Sequence, residues 1–170
     1  MIEPKVALRA GFATVGAFIA IAALLYLTEI THYLLIIASF GASCVLLFAL
    51  PEAPLAQPKN IIGGHFITAL VGLVVAHFLP ISPLVIAFAV GIGIGLMVLT
   101  GTTHPPAGGN PLIILLGMPD APWTFLLFPV LSGTILLVMV AWLYHPFTTK
   151  AYKPRFVPAF ALALSRVRRK

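Results

Sequence analysis

A histidine, two adjacent prolines, two adjacent glycines and an asparagine interrupt an otherwise apolar run at residues 100–119, TGTTHPPAGGNPLIILLGMP. Hydrocarbon offers backbone amides no partners, so such a break persists only inside protein or beside a wet cavity. Gly108, Gly109 and Asn110 open a short apolar helix after the break. A second small-residue cluster, Ser39, Gly41, Ala42 and Ser43, lies at the middle of another apolar run. A helix starting near the bilayer midplane turns unsatisfied amides and a partial positive charge into the protein. Two such starts, facing each other from inverted halves, would favour a small anion between them. The groups available to it are the Ser43 hydroxyl, the Asn110 amide, the backbone amides of Ala42 and Ser43, and close approach at Gly41, Gly108 and Gly109. Glycines also serve close helix packing, and that plainer role is expected for Gly91-xxx-Gly95 and for Gly64, Thr68 and Gly72.

His104 adds titratable chemistry. Pro105, followed by Pro106, pushes it out of helical geometry, so its ring can be aimed at a ligand. Imidazole changes charge near neutral pH and could gate an anion. The competing role is a histidine wetted at a helix end. His65, after Gly63-Gly64, joins Ser39 and Thr103 as a candidate for the lining of a pathway. His32, His77 and His145 fall near predicted membrane boundaries and are expected in water. No Asp, Glu, Lys or Arg is predicted deep in the core; Glu29, Glu52 and Asp120 all stand at loop positions. Cation pumps keep an intramembrane carboxylate, whereas an anion held by amides and hydroxyls needs none. Neither a metal-ligand spacing nor a nucleophile–histidine–acid set is present, so no enzyme, metal or cofactor is expected.

The elements that must position these groups follow from composition. Apolar residues make up 61% and charged residues 8%, with a mean hydropathy of +1.10. Globular domains carry roughly 45–50% apolar and ~25% charged residues, so an all-α integral membrane protein is predicted. The length of 170 residues suits about six spans of ~20 residues. The first apolar run looks too long for a signal peptide and is expected to remain as a span. Cys44 is the one cysteine, expected as a buried thiol.

Pro4 suits a first helical position, and helix is predicted from about Val6 to Thr28. Further apolar runs cover Tyr33 to Leu50, Ile61 to Leu79, Ser82 to Thr100 and Trp123 to Tyr144. The loop PEAPLAQPKN cannot be continuous helix. Trp123, Trp142 and Tyr144 fit an interfacial aromatic belt. After the break, an extended Pro105–Gly108 and a helix to Met118 would together approach the ~30 Å hydrocarbon core.

Two halves share short signatures. Thr28-Glu29-Ile30-Thr31-His32 is matched by Thr100-Gly101-Thr102-Thr103-His104, and Pro51-Glu52-Ala53-Pro54 by Pro119-Asp120-Ala121-Pro122. Gly41 and Gly109 each stand ten residues before those prolines. In this register the first half holds four extra residues. The expectation is two inverted three-segment repeats, about 6–80 and 82–145, each with a broken or half-helical middle segment. Full crossing puts Lys59 inside and Asp120 outside; re-entrant loops would put Lys59 outside. Crossing is the favoured arrangement.

The net charge is +6. Lys5 and Arg9 lie at the front, Lys59 stands alone, and seven basic residues fall between Lys150 and Lys170. Both termini are then predicted cytoplasmic, with residues 146–170 a basic tail lying on anionic headgroups. Nucleic acid is not needed to explain that tail. Glycine-rich faces left over by six short spans suggest a homo-oligomer.

The chain resembles the HPP family of integral membrane proteins, named for the tripeptide His104-Pro105-Pro106. The likeness runs from Ser39 through FGASCVLLFALPEAPLAQPKNIIGGH to His65, and again over HPPAGGNPLI from His104 to Ile113. It implies nitrite as the transported anion, because plant and cyanobacterial members are implicated in nitrite transport. A bacterial-type inner membrane is the expected location. Alternatives are a non-transport anchor or sensor, and a channel for a weak acid or neutral small solute.

Overall fold

The computed structural model describes residues 3–148; the expected headgroup-binding tail lies almost wholly outside them. The chain is all-α. Helix α1 is Pro4–Thr31, α2 Ser39–Cys44, α3 Pro58–Phe78, α4 Pro83–Thr100, α5 Asn110–Leu112 and α6 Ser132–Tyr144. Among the described residues, four helical stretches are long and apolar enough to cross a bilayer: Pro4–Thr31, Pro58–Phe78, Pro83–Thr100 and Trp123–Phe147. The two middle segments are shorter. One runs Ser39–Ala49; the other strings a 3₁₀ turn, Pro105–Gly109, onto α5 and a π turn, Ile113–Gly117.

Proline sets the helix starts. Pro4, Pro58 and Pro83 each stand in the first turn of a long helix, where a missing amide costs nothing. The Ser82 hydroxyl caps α4 by accepting from the Val85 amide at 3.4 Å. Helices α1 and α4 end on left-handed residues, His32 (φ 58) and Gly101 (φ 64).

The segments form two inverted sets of three. At one face of the bundle, the Tyr144 hydroxyl of α6 donates to the Phe12 carbonyl of α1 at 2.9 Å. The end of the first middle segment exits there too, since His145 Nε2 donates to the Leu47 carbonyl at 2.8 Å. At the opposite face Tyr33 stacks on Phe128 and His77 stacks on Trp123. The second middle segment heads toward that face, with Leu115 packed beside Val75 near the end of α3. Both middle segments therefore run between the two faces of the bundle, in opposite senses. Replacing Tyr144 by Phe should cost about 1 kcal/mol, read as a lower midpoint of unfolding in detergent.

Backbone detail pins the register of the repeat. Each middle segment ends in a π turn, Val45–Ala49 and Ile113–Gly117. Each is closed by a residue of matching conformation, Leu50 (φ −131, ψ 47) and Met118 (φ −146, ψ 57). Ala53 N then bonds Leu50 O, as Ala121 N bonds Met118 O. The helix ends correct the sequence register: α1 stops at Thr31 and α4 at Thr100. Thr28 is thus not the counterpart of Thr100. The T-x-x-T-H match is offset by three residues, leaving only one extra residue in the first half.

Other expectations change as well. Residues 105–109 wind as 3₁₀ rather than extended chain, because two prolines preset φ near the helical value. The extended piece is His104 (φ −140, ψ 102). The last span is not one helix: it begins as 3₁₀ at Trp123–Leu126 and passes through a π turn with non-helical Phe128 (φ −130, ψ 111). Pro129 removes an amide there. His145 is buried rather than solvated. On α4 the packing glycine is Gly93, where a methyl would lie 3.3 Å from Thr68 Cγ2; Gly91 and Gly95 face open space.

Candidate functional site

The starts of the two middle segments meet inside the bundle. Ser39 Oγ donates to Asn110 Oδ1 at 2.8 Å, tying α2 to α5 directly. Helix α3 passes behind them and contributes His65 and Thr68. Ser43, His65, Thr68 and His104 have 0% exposure and Asn110 has 1%, so each polar atom must find a partner within the protein. They do so in one connected network.

The donors can be assigned. Asn110 Nδ2 lies 3.1 Å from the His65 carbonyl, which can only accept, so that atom is the nitrogen. The same NH₂ group lies 3.0 Å from His65 Nδ1 and 3.0 Å from Thr68 Oγ1. His65 Nδ1 is therefore bare and its proton sits on Nε2, which donates to Ser43 Oγ at 2.9 Å. His104 Nδ1 donates to the Leu55 carbonyl at 2.8 Å, leaving Nε2 as the acceptor. The Ser43 hydroxyl donates to that nitrogen at 2.9 Å. Two neutral imidazoles of opposite tautomer are thus bridged by one serine.

The predicted residues divide on this geometry. Ser39, Ser43, His65, His104 and Asn110 come together. Gly41 and Ala42 are exposed on the outer side of α2; Gly41 lines an apolar lateral groove with Ala17, Phe18, Ile21 and Leu25. Pro105 is exposed, and Pro106, Gly108 and Gly109 are half-buried. A methyl at Gly41, Gly108 or Gly109 would meet nothing within 4 Å. The amides expected at the second helix tip are reduced: Pro105 and Pro106 have none, and Ala107 N bonds His104 O at 3.0 Å. Thr103 contributes its carbonyl, which accepts from Asn60 Nδ2 at 2.8 Å.

Three participants were missed by sequence reasoning. Thr68, assigned only to packing, lies three residues after His65 on the same helical face, and its hydroxyl donates to Gly64 O at 2.8 Å. That spacing was the available signal. Leu55 O and Asn60 left none, because nothing local marks a loop carbonyl or a first-turn asparagine as a long-range partner.

Sequence comparison decides the family. Residues 3–154 match the transmembrane region of the HPP family. The chain belongs to the HPP family. It is 37% identical over 128 residues to one transmembrane protein of Dictyostelium discoideum, covering 71% of this chain and 45% of the relative. A second Dictyostelium transmembrane protein is 31% identical over 157 residues, covering 86% of this chain and 50% of the relative. The chain thus spans about half the length of the curated relatives it matches. No solved structure matches this HPP chain. Its placement in a bilayer rests on the family and on the four long apolar helices together.

Proposed function

We propose that this HPP chain carries a small monovalent solute across the membrane, with nitrite the first candidate. The observation that supports the reading is the buried polar cluster where the two middle segments meet: two imidazoles, two serines, a threonine and an asparagine. None is permanently charged. A site of this kind suits a small solute that exchanges hydrogen bonds, and it lacks the carboxylate that a cation pathway keeps. Passage requires the network to open, since the Ser43 hydroxyl is engaged with His104 and the Asn110 amide with Thr68.

That engagement favours one refinement. With no fixed cation to offset a bare anion, a solute crossing with its proton has the lower electrostatic cost. Flux should then follow the protonated species as pH falls. Both termini on the cytoplasmic side of an inner membrane, residues 1–145 as the transport unit, and a homo-oligomer covering the exposed glycines complete the proposal.

Purified protein in liposomes should pass nitrite above background in a panel with nitrate, formate and chloride at two pH values. Background flux throughout would leave an anchor or sensor as the surviving role. Gly109→Leu makes a clean companion, because the space around Gly109 is open and the fold should tolerate the side chain. Uptake is expected to fall to background in this variant; unchanged uptake would remove Gly109 from the pathway.

A further inference from the structure

The bridged histidines are not equivalent, and the difference lies in what each could do with one more proton. His65 would have to take it on Nδ1, which faces the Asn110 NH₂ group at 3.0 Å. Two donors would then oppose each other. The amide cannot simply turn over, because its nitrogen also serves the His65 carbonyl and its oxygen serves Ser39. His104 would take the proton on Nε2, where its partner is the Ser43 hydroxyl at 2.9 Å. That hydroxyl has a second acceptor already within reach, the Ser39 carbonyl at 3.2 Å.

We propose that the cluster binds one proton, at Nε2 of His104, and that the Ser43 hydroxyl is the switch that admits it. In the neutral state the Ser43 O–H bond points at His104. When His104 gains a proton from the solute or from water, its N–H donates to Ser43 Oγ and the serine proton turns to the Ser39 carbonyl. Ser43 Oγ then accepts from both imidazoles and donates once. Every hydrogen-bonding group stays satisfied in both states, and the donating acid is left as its conjugate base. Among the described elements packed around His104, the titratable side chains are Lys59, His65 and, at the far end, His77 of α3, Cys44 of α2, and Glu52 in the loop carrying Leu55. Only His65 shares the Ser43 hydroxyl with it.

This deepens the transport reading by giving the site a counter-charge for a monoanion, and it rests on that reading for its purpose only. Nitrogen NMR of histidine-labelled protein in bilayers tests it, with His65→Gln and His104→Gln assigning the signals. Near neutral pH the expected result is His65 protonated on Nε2 alone and His104 on Nδ1 alone. On acidification His104 should gain its second proton in a single step while His65 stays neutral. Ser43→Ala should leave His104 neutral over the range in which the unaltered protein takes its proton, and Ser43→Thr should restore the step. The same tautomer on both rings, a proton arriving first on His65 Nδ1, or an unchanged titration in Ser43→Ala would overturn the switch. The expected tautomers without liposome flux would keep the switch and remove the transport reading; flux with other tautomers would do the reverse.

Discussion

Replacing Asn110 by Leu should lower stability by about 2–5 kcal/mol, read from unfolding in detergent against the unaltered protein. The side chains are close in volume, so the loss is chemical. Asn110 ties both middle segments to α3: its oxygen accepts from Ser39, and its two N–H bonds are shared among Thr68 Oγ1, His65 Nδ1 and the His65 carbonyl. Leucine would leave the buried Ser39 hydroxyl and His65 Nδ1 without their partners, while the His65 carbonyl keeps the Thr68 hydroxyl at 3.3 Å. Each such group costs roughly 1–3 kcal/mol when buried, less where a polypeptide unfolded in lipid finds other partners. A leucine variant as stable as the parent would show that the amide does not hold the segments together.

Alanine at Gly133 or at Gly64 is the second expected disruption. A methyl at Gly133 would lie 2.6 Å from the Leu35 carbonyl and closer still to the Phe40 ring, which is fully buried. At Gly64 it would lie 2.8 Å from the Thr102 carbonyl and 3.0 Å from His104 Cβ. Backbone cannot withdraw as a flexible side chain can. Overpacking of this kind costs about 1–3 kcal/mol, with Gly133→Ala at the upper end because its contacts are the shorter ones. Gly109→Ala is the control and should be near neutral. Equal unfolding midpoints for all three variants would refute the close approach.

These contacts show what was legible in the sequence and what was not. The long spans announced themselves through unbroken apolar length, and the broken segments through His104-Pro105-Pro106 and the small residues after Ser39. The duplication was visible in the two P-acid-A-P loops, which keep their register in three dimensions. The T-x-x-T-H signature misled because a threonine pair near a helix end is common chemistry; a left-handed cap set each boundary, and a non-glycine residue filled one of them. The site was legible as a list of polar residues in an apolar setting. Its wiring was not. Prolines announced a break but also removed the amides that a helix tip would offer. Whether Ser43 faces inward while Gly41 and Ala42 face outward depends on the rotation of α2, and a six-residue helix carries too little pattern to fix it. His145 looked like a boundary residue because its acceptor, the Leu47 carbonyl, comes from a segment 98 residues away.

Gly64 belongs to the first half yet presses on the lead-in to the second middle segment; Gly133 belongs to the second half and presses on the lead-in to the first. The two halves are consequently interlaced, each clasping the chain that leads into the other's middle segment. A transport cycle in which one half rocks as a rigid block would have to prise open both clasps at once.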